Sequence, residues 1–285
     1  SAVISRRYVR WSRAGMPLKT APAGISRMTP DFAATIAPRR MNFSGLVPVP
    51  GDGRYEWNGF LPIRELPHVL NPDKGFYNTS NDWQVPVGYP HMEAVHYVWA
   101  DPYRGRTVAE QLGGAKKFSV ADMTNLQNYN LSIPARSIVP LLRDIAITDP
   151  VARKAAARLL HWDFILDKDS VEAGLYEMFQ RRLMVNVKNI IVPASARDVL
   201  TPPLTRIVSS LAAPDGSFGA DPLAGRNAAL VQSLEQACAD LSGRLGPDME
   251  KWTLGAYHYA RIMHPMTAAL RPDLQEKFDV GHFPR

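Results

Sequence analysis

The sequence predicts an α+β fold. An irregular, sheet-forming front covers residues 1–106, and a helical back covers 107–285. Three observations lead there. The front is crowded with Pro, Gly and aromatic residues between short extended pieces. After Thr107 the apolar residues recur at three-to-four spacing. No repeat or low-complexity tract divides the chain, and both parts are read as one folding unit over 1–285.

In the front, GLVPVPGDGRYEW, GFLPIRELP and NPDKGFY read as short strands and turns, because Pro cannot donate to a ladder. In the back, TVAEQLGG is a short helix. The segment 119–145 begins with Ser119 as N-cap, and Pro134 and Pro140 should kink or break it. DPVARKAAARLLHW (149–162) is a helix, and a longer one over 169–191 is opened by Asp169 or Ser170. TPPLTRIVSSLAA carries prolines in its first turn. The stretch 214–225 reads as a loop, and 225–246 as an amphipathic helix ended by Gly246. His258 and His264 fall in WTLGAYHYARIMHP, read as helical, where a packed histidine is expected.

Composition excludes several classes. Hydrophobic residues make up 46% and charged residues 21%, a globular rather than a disordered balance. A net charge of +6 raises the question of nucleic acid. The basic residues are scattered as isolated pairs such as Arg39-Arg40 and Arg181-Arg182, with no binding motif, so no nucleic-acid partner is expected. No segment is long and apolar enough for a membrane span, and the N-terminus lacks the apolar core of a signal peptide. The single Cys238 admits no intrachain disulfide and reads as a buried hydrophobe on a helix.

The familiar catalytic signatures are missing: no phosphate loop, no dinucleotide fingerprint, no HExxH and no GxSxG. His91 and His96 flank Glu93, but their spacing does not suit two ligands on one helical turn. Paired carboxylates such as Glu56 with Glu65, or Asp163 with Asp169, default to surface roles. One chemistry does fit. A free N-terminal serine can act as nucleophile with its own α-amine as base, since that amine has a pKa of roughly 8. Ser1 is such a residue if it is a true terminus. The reaction also needs an oxyanion donor, and the amide of Asn78 or Asn81 in the polar stretch NPDKGFYNTSNDW could supply it.

A longer string of residues carries a resemblance. PVPG at 48–51 is followed by Trp57, Gly59 and Pro62, then Glu65-Leu66-Pro67, Asn71-Pro72, Gly75 and Ser80-Asn81-Asp82. Further on, Tyr103-Arg104-Gly105-Arg106-Thr107, LQNYNLSIPA, LLHWDFILDKDSVEAGLYEMF and KWTLGAYHYARIMHPM follow in order. Over roughly residues 40 to 285 this resembles the penicillin acylase (penicillin amidase) family, which includes acyl-homoserine-lactone acylases.

The resemblance implies an N-terminal-nucleophile hydrolase with a four-layer αββα sandwich, of which this chain would carry a part. It implies cleavage of a linear amide, a β-lactam side chain or an N-acyl homoserine lactone, through an acyl-enzyme. It implies maturation of a precursor into an α chain and a β chain, so the partners would be the α chain and the remaining β segments, with export to the periplasm or secretion. The family's oxyanion asparagine falls on Asn81, and its second asparagine is here Asp82. The family's active-site arginine falls on Arg106, with Arg104 as rival because the spacing between the arginines is one residue shorter. No organic cofactor is implied. Some members hold a structural calcium ion at a position that is Glu93 here, with further carboxylates outside this chain. Tyr129 stands where the family has Asp. The family's β chain opens Ser-Asn and this sequence opens Ser-Ala, so the chain reads as an internal piece of a β chain. Ser1 is then a boundary residue unless it is the mature N-terminus. The competing reading is a non-catalytic relative or fragment acting only in binding or assembly.

Overall fold

The structure is a computed structural model and describes residues 38–40, 48–95, 98–114, 117–263, 267, 271–275, 277 and 279–284. The chain divides into two compact units, 1–117 and 118–285.

In the first unit, strand β1 (Pro38–Arg40) pairs antiparallel with β2 (Trp57–Phe60). Two single 3-10 turns follow, Ile63–Glu65 and Met92–Ala94, and then helix α1 (Tyr103–Leu112). The helix starts at Tyr103, four residues before the expected change of character at Thr107, with Pro102 as its N-cap. Pro102 ahead of the first turn loses no helical bond by lacking an N–H, so it starts the helix rather than marking a loop.

The second unit holds α2 (Val120–Gln127), α3 (Ile133–Ile138), α4 (Pro150–Leu160), α5 (Val171–Ile191), α6 (Leu204–Ala212), α7 (Pro222–Leu245) and the short α8 (Leu254–Tyr257). Strand β3 (Tyr259–Met263), helix α9 (Pro272–Gln275) and strand β4 (Asp279–Pro284) follow. Short polar side chains open the main helices. Ser119 forms a capping box with Asp122, and Asp149, Ser170 and Asp221 each accept a backbone N–H three residues on. Each such cap is worth about 1 kcal/mol.

The break expected in 119–145 is present: the stretch is two α-helices and a 3-10 turn (Val139–Leu142), with Ser132 capping a new helix in which Pro134 occupies the first turn, and Pro140 in the first turn of the 3-10 piece. Two expectations are corrected. The expected loop 214–225 contains a 3-10 turn, Gly216–Phe218, and the first turn of α7, which Asp221 caps and Pro222 opens. WTLGAYHYARIMHP is not one helix. It stops after Tyr257, and Tyr259–Met263 pairs antiparallel with β4 from Tyr259↔Pro284 to Ile262↔Gly281. His258 therefore sits between helix and strand with its Nδ1 buried, and His264 lies outside the described residues.

The core of the second unit is the seam between α5 and α7. Leu175, Phe179, Leu183 and Val187 repeat every four residues along α5 and are fully buried, as are Leu230, Leu234, Ala237 and Leu241 on α7. Each large side chain contributes about 1.5–3 kcal/mol by leaving water. Beside the seam, Arg182 binds both oxygens of Asp240 at 2.5 Å, and Asn186 donates to Ser233 and Gln236. Arg158 on α4 donates to Glu172 and to Glu250. Burial is the largest single influence on the Glu172 carboxyl and would raise it, but the Arg158 hydrogen bond and charge, the Glu172 backbone N–H and the Ser170 hydroxyl together hold the group below the usual range.

The segment 252–257 lies flush on the first turn of α5. Leu254 N–H donates to Ser170 O, Gly255 N–H to Lys168 O, and the Tyr257 hydroxyl to Gly174 O at 2.6 Å. A Cβ on Gly174 would stand 2.0 Å from the Trp252 carbonyl oxygen, so only glycine admits this approach.

Candidate functional site

The polar loop after the Asn71–Gly75 turn is where the chemistry converges. Its architecture is local. The Asp82 Oδ1 accepts the Ser80 N–H at 2.9 Å, which closes a small ring with Asn81 as its middle residue. The closure bends the chain, and Asn81 takes φ of 63°, the left-handed conformation that asparagine tolerates better than most side chains.

The first turn of α1 and the chain just ahead of it are bolted to this loop from several sides. The Ala100 N–H donates to Asn81 O at 2.8 Å. Asn78 Nδ2 donates to Gly105 O at 3.0 Å. Arg104 donates to Ser80 O at 2.7 Å and to Asn81 Oδ1 at 2.8 Å. That last bond decides the orientation of the amide. A guanidinium only donates, so the atom facing it is the oxygen, and the NH₂ of Asn81 points the other way. Nδ2 makes no hydrogen bond among the described residues, and Asn81 is exposed. The cation behind the oxygen also polarises the amide, which strengthens its N–H bonds as donors. The loop thus presents a neutral, aimed donor pair suited to an oxygen that is acquiring negative charge.

Of the two arginines, Arg104 is the one whose guanidinium reaches the loop. Residues two apart on an α-helix point to nearly opposite sides, so Arg104 and Arg106 cannot both face Asn81. Arg106 instead acts on Tyr103. Burial raises the Tyr103 hydroxyl, Asp101 raises it further, and Arg106 opposes both.

Around Asp82 a relay completes the loop. Gln84 Nε2 donates to Asp82 Oδ1 at 2.7 Å, and the Tyr77 hydroxyl donates to Gln84 Oε1 at 2.5 Å. Burial and the nearby Asp82 charge both raise the Tyr77 hydroxyl, so it stays protonated and donating. The sequence analysis gave no role to Gln84 or Tyr77, and noted Asp82 only as a departure from the family's asparagine and Gly105 only within the string that carries the resemblance. One signal was present: a glycine inside a helical turn, RGR, costs stability unless something packs on it. A Cβ on the buried Gly105 would stand 2.6 Å from Asp82 Oδ2.

Glu93 lies in the Met92–Ala94 turn, and Ser1 and His96 lie outside the described residues. Among the described residues no group of three or more His, Cys, Asp or Glu could hold a metal ion. No described helix is long and apolar enough to cross a membrane. A cleft of about 850 Å³ in the second unit is lined by Lys154, Arg158, His161, Asp163 and Glu172. There Arg158 pairs with Glu172 at 2.7 Å, and the Ser170 hydroxyl, which donates to the other Glu172 oxygen at 3.2 Å, is engaged as the N-cap of α5.

Comparison with known proteins bears on the same residues. The penicillin amidase family profile matches residues 29–285. The chain is 27% identical over 254 residues to an acyl-homoserine lactone acylase, QuiP, of Pseudomonas syringae pv. syringae (strain B728a), covering 78% of this chain and 30% of that protein. It is 26% identical over 248 residues to the penicillin acylase 2 proenzyme of Pseudomonas sp. (strain SE83), covering 81% of this chain and 30% of that protein. The chain thus spans under a third of the length of these curated relatives. Its fold is similar to that of a thermostable penicillin G acylase from Alcaligenes faecalis, with a TM-score of 0.57, 22% identity, and coverage of 76% of this chain and 45% of that one. The described residues are mostly helical, with sheet limited to two two-stranded pieces. The match over nine-tenths of the sequence, running through both the amide-bearing loop and the helical core, means that this chain belongs to the penicillin amidase family.

Proposed function

We propose that this chain is the oxyanion side of an amide-cleaving acylase. The observation that carries the reading is the fixed Asn81 amide, its oxygen held by Arg104 and its NH₂ turned outward. In this reading an N-terminal serine of the mature enzyme attacks the carbonyl carbon of a linear amide. Its hydroxyl proton passes to its own α-amine. The carbonyl oxygen becomes an oxyanion and accepts a hydrogen bond from Asn81 Nδ2 together with a backbone N–H. The intermediate collapses, the C–N bond breaks, and the leaving amine takes the proton back from the α-ammonium. Water then attacks the acyl ester by the same route and frees the acid.

The substrate is a small-molecule amide, either a β-lactam side chain or an N-acyl homoserine lactone, and the relatives named for both support that class. A relative described as a proenzyme supports maturation by cleavage. The partners are then the α chain and the remaining β-chain segments, completing an αββα sandwich in the periplasm. Ser1 is the nucleophile only where it is the mature terminus. Arg104 takes the supporting role that the family pattern offered to Arg106. A calcium ion at Glu93 would need carboxylates from outside this chain, and no step runs through it.

The test is an assay of the mature full-length gene product on an N-acyl homoserine lactone and on benzylpenicillin. The expected result is release of free amine in equal amount with free acid from at least one of them. Absence of hydrolysis of both, by material whose N-terminus is shown to be serine, overturns the reading.

A further inference from the structure

We propose that Asp82 is a positioning residue for the Asn81 amide, an inference that rests on the function proposed above. Three contacts meet on this one carboxylate. Its Oδ1 accepts the Ser80 N–H at 2.9 Å and the Gln84 amide at 2.7 Å. Its Oδ2 fills the space left by the missing side chain of Gly105, where a Cβ would come within 2.6 Å. The first bond closes the ring that turns Asn81 left-handed. The second ties the carboxylate to Gln84 and, through Gln84, to the Tyr77 hydroxyl. The third seats the loop on α1, so that Arg104, one residue before Gly105, arrives at Asn81 Oδ1.

Without the acceptor at 82 the ring opens. The left-handed backbone at Asn81 then relaxes toward ordinary φ, and the Nδ2 protons swing off their line. Nothing here requires the negative charge itself. An asparagine at 82 offers the same Oδ1 to Ser80 and Gln84, whereas alanine offers none. The role differs from that of Asn81, because Asp82 never meets the substrate and acts only through the geometry of its neighbour.

The experiment is steady-state kinetics of the mature full-length enzyme, with thermal melting of each variant. Asp82→Ala should lower kcat by about 10- to 100-fold, the cost of misplacing a catalytic group by roughly 1 Å, with KM little changed. Asp82→Asn should recover most of that loss. The decisive variant is the double Asn81→Ala/Asp82→Ala, which should turn over no more slowly than Asn81→Ala alone, because the group being positioned is already gone. Unchanged kcat in Asp82→Ala, or the same fractional loss in both backgrounds, overturns the positioning role while leaving the proposed function standing. Full turnover by Asn81→Ala overturns the donor reading and this inference together. Should Asp82→Ala fail to fold, Gly105→Ala asks the same question while keeping every polar group. Its Cβ displaces the carboxylate, so an undiminished kcat in that variant also refutes the role.

Discussion

Replacing Asn81 by alanine in the mature full-length enzyme is expected to lower kcat by about 100- to 1000-fold, the range lost when a single oxyanion donor is removed. The change deletes a donor pair that Arg104 holds facing outward. In the proposed function that donor would engage an oxygen whose charge develops only in the transition state, so KM should move little and the loss should fall on kcat. Asn81→Asp should be worse than alanine. A carboxylate would still accept from Arg104, but it would turn a negative oxygen toward the place where the oxyanion forms. Kinetics of the three proteins on one amide substrate check both the size and the order of the effects. Equal kcat for wild type and Asn81→Ala would move the oxyanion donor elsewhere.

A large effect on stability is expected at Gly174. Its absent Cβ would lie 2.0 Å from the Trp252 carbonyl oxygen and within 3.0 Å of the next backbone atoms, Thr253 C and Leu254 N. These are main-chain atoms, fixed by the bonds from Leu254 to Ser170 and from Tyr257 to Gly174, so no flexible side chain can give way. Gly174→Ala must therefore push the 252–257 segment off α5, which also disturbs the fully buried Trp252. We expect a loss of about 3 kcal/mol or more and a Tm lower by roughly 6–12 °C. Gly243, near the end of α7, is the control. A Cβ there meets nothing within 4 Å, and Gly243→Ala should instead stabilise by up to about 1 kcal/mol through helix propensity. Thermal melts with opposite signs at two helical glycines would separate close packing from propensity. A Gly174→Ala variant that melts with the wild type would show that the seam can open at no cost.

The two glycines illustrate what could be read from the residues alone. Helix α5 was legible because it joins a short polar cap to a four-residue apolar rhythm, and α4 and the body of α7 were legible from that rhythm, a local signal, while the Asp221 cap of α7 was read as loop. Strand β3 was not legible. Its pairing with β4 is a non-local choice, and WTLGAYHYARIMHP carries enough helix formers to mislead a local reading. In the site, the family pattern fell on Asn81 and on Arg106, with Arg104 as rival. Which of the two guanidiniums reaches Asn81 depends on the phase of α1 relative to the loop, and that phase depends on where the helix begins, at Tyr103. Asp82 read as a small departure from the pattern. Its part became visible only when Ser80, Gln84 and Gly105 were found around one carboxylate.

Cys238, packed on the buried side of α7, has a practical consequence for labelling. It is 4% exposed, and burial, aided by the charges of Asp149 and Glu235, pushes its thiol up to about 12. The reactive thiolate is then scarce at neutral pH and shielded from reagents. Within these 285 residues there is no other thiol. The chain is therefore a quiet background for chemical probes: a cysteine placed on the exposed rim of the Asn81 loop would take up a maleimide dye or spin label without first removing the native one. Motions of that loop could then be followed by fluorescence or electron paramagnetic resonance in a protein whose core packing is left intact.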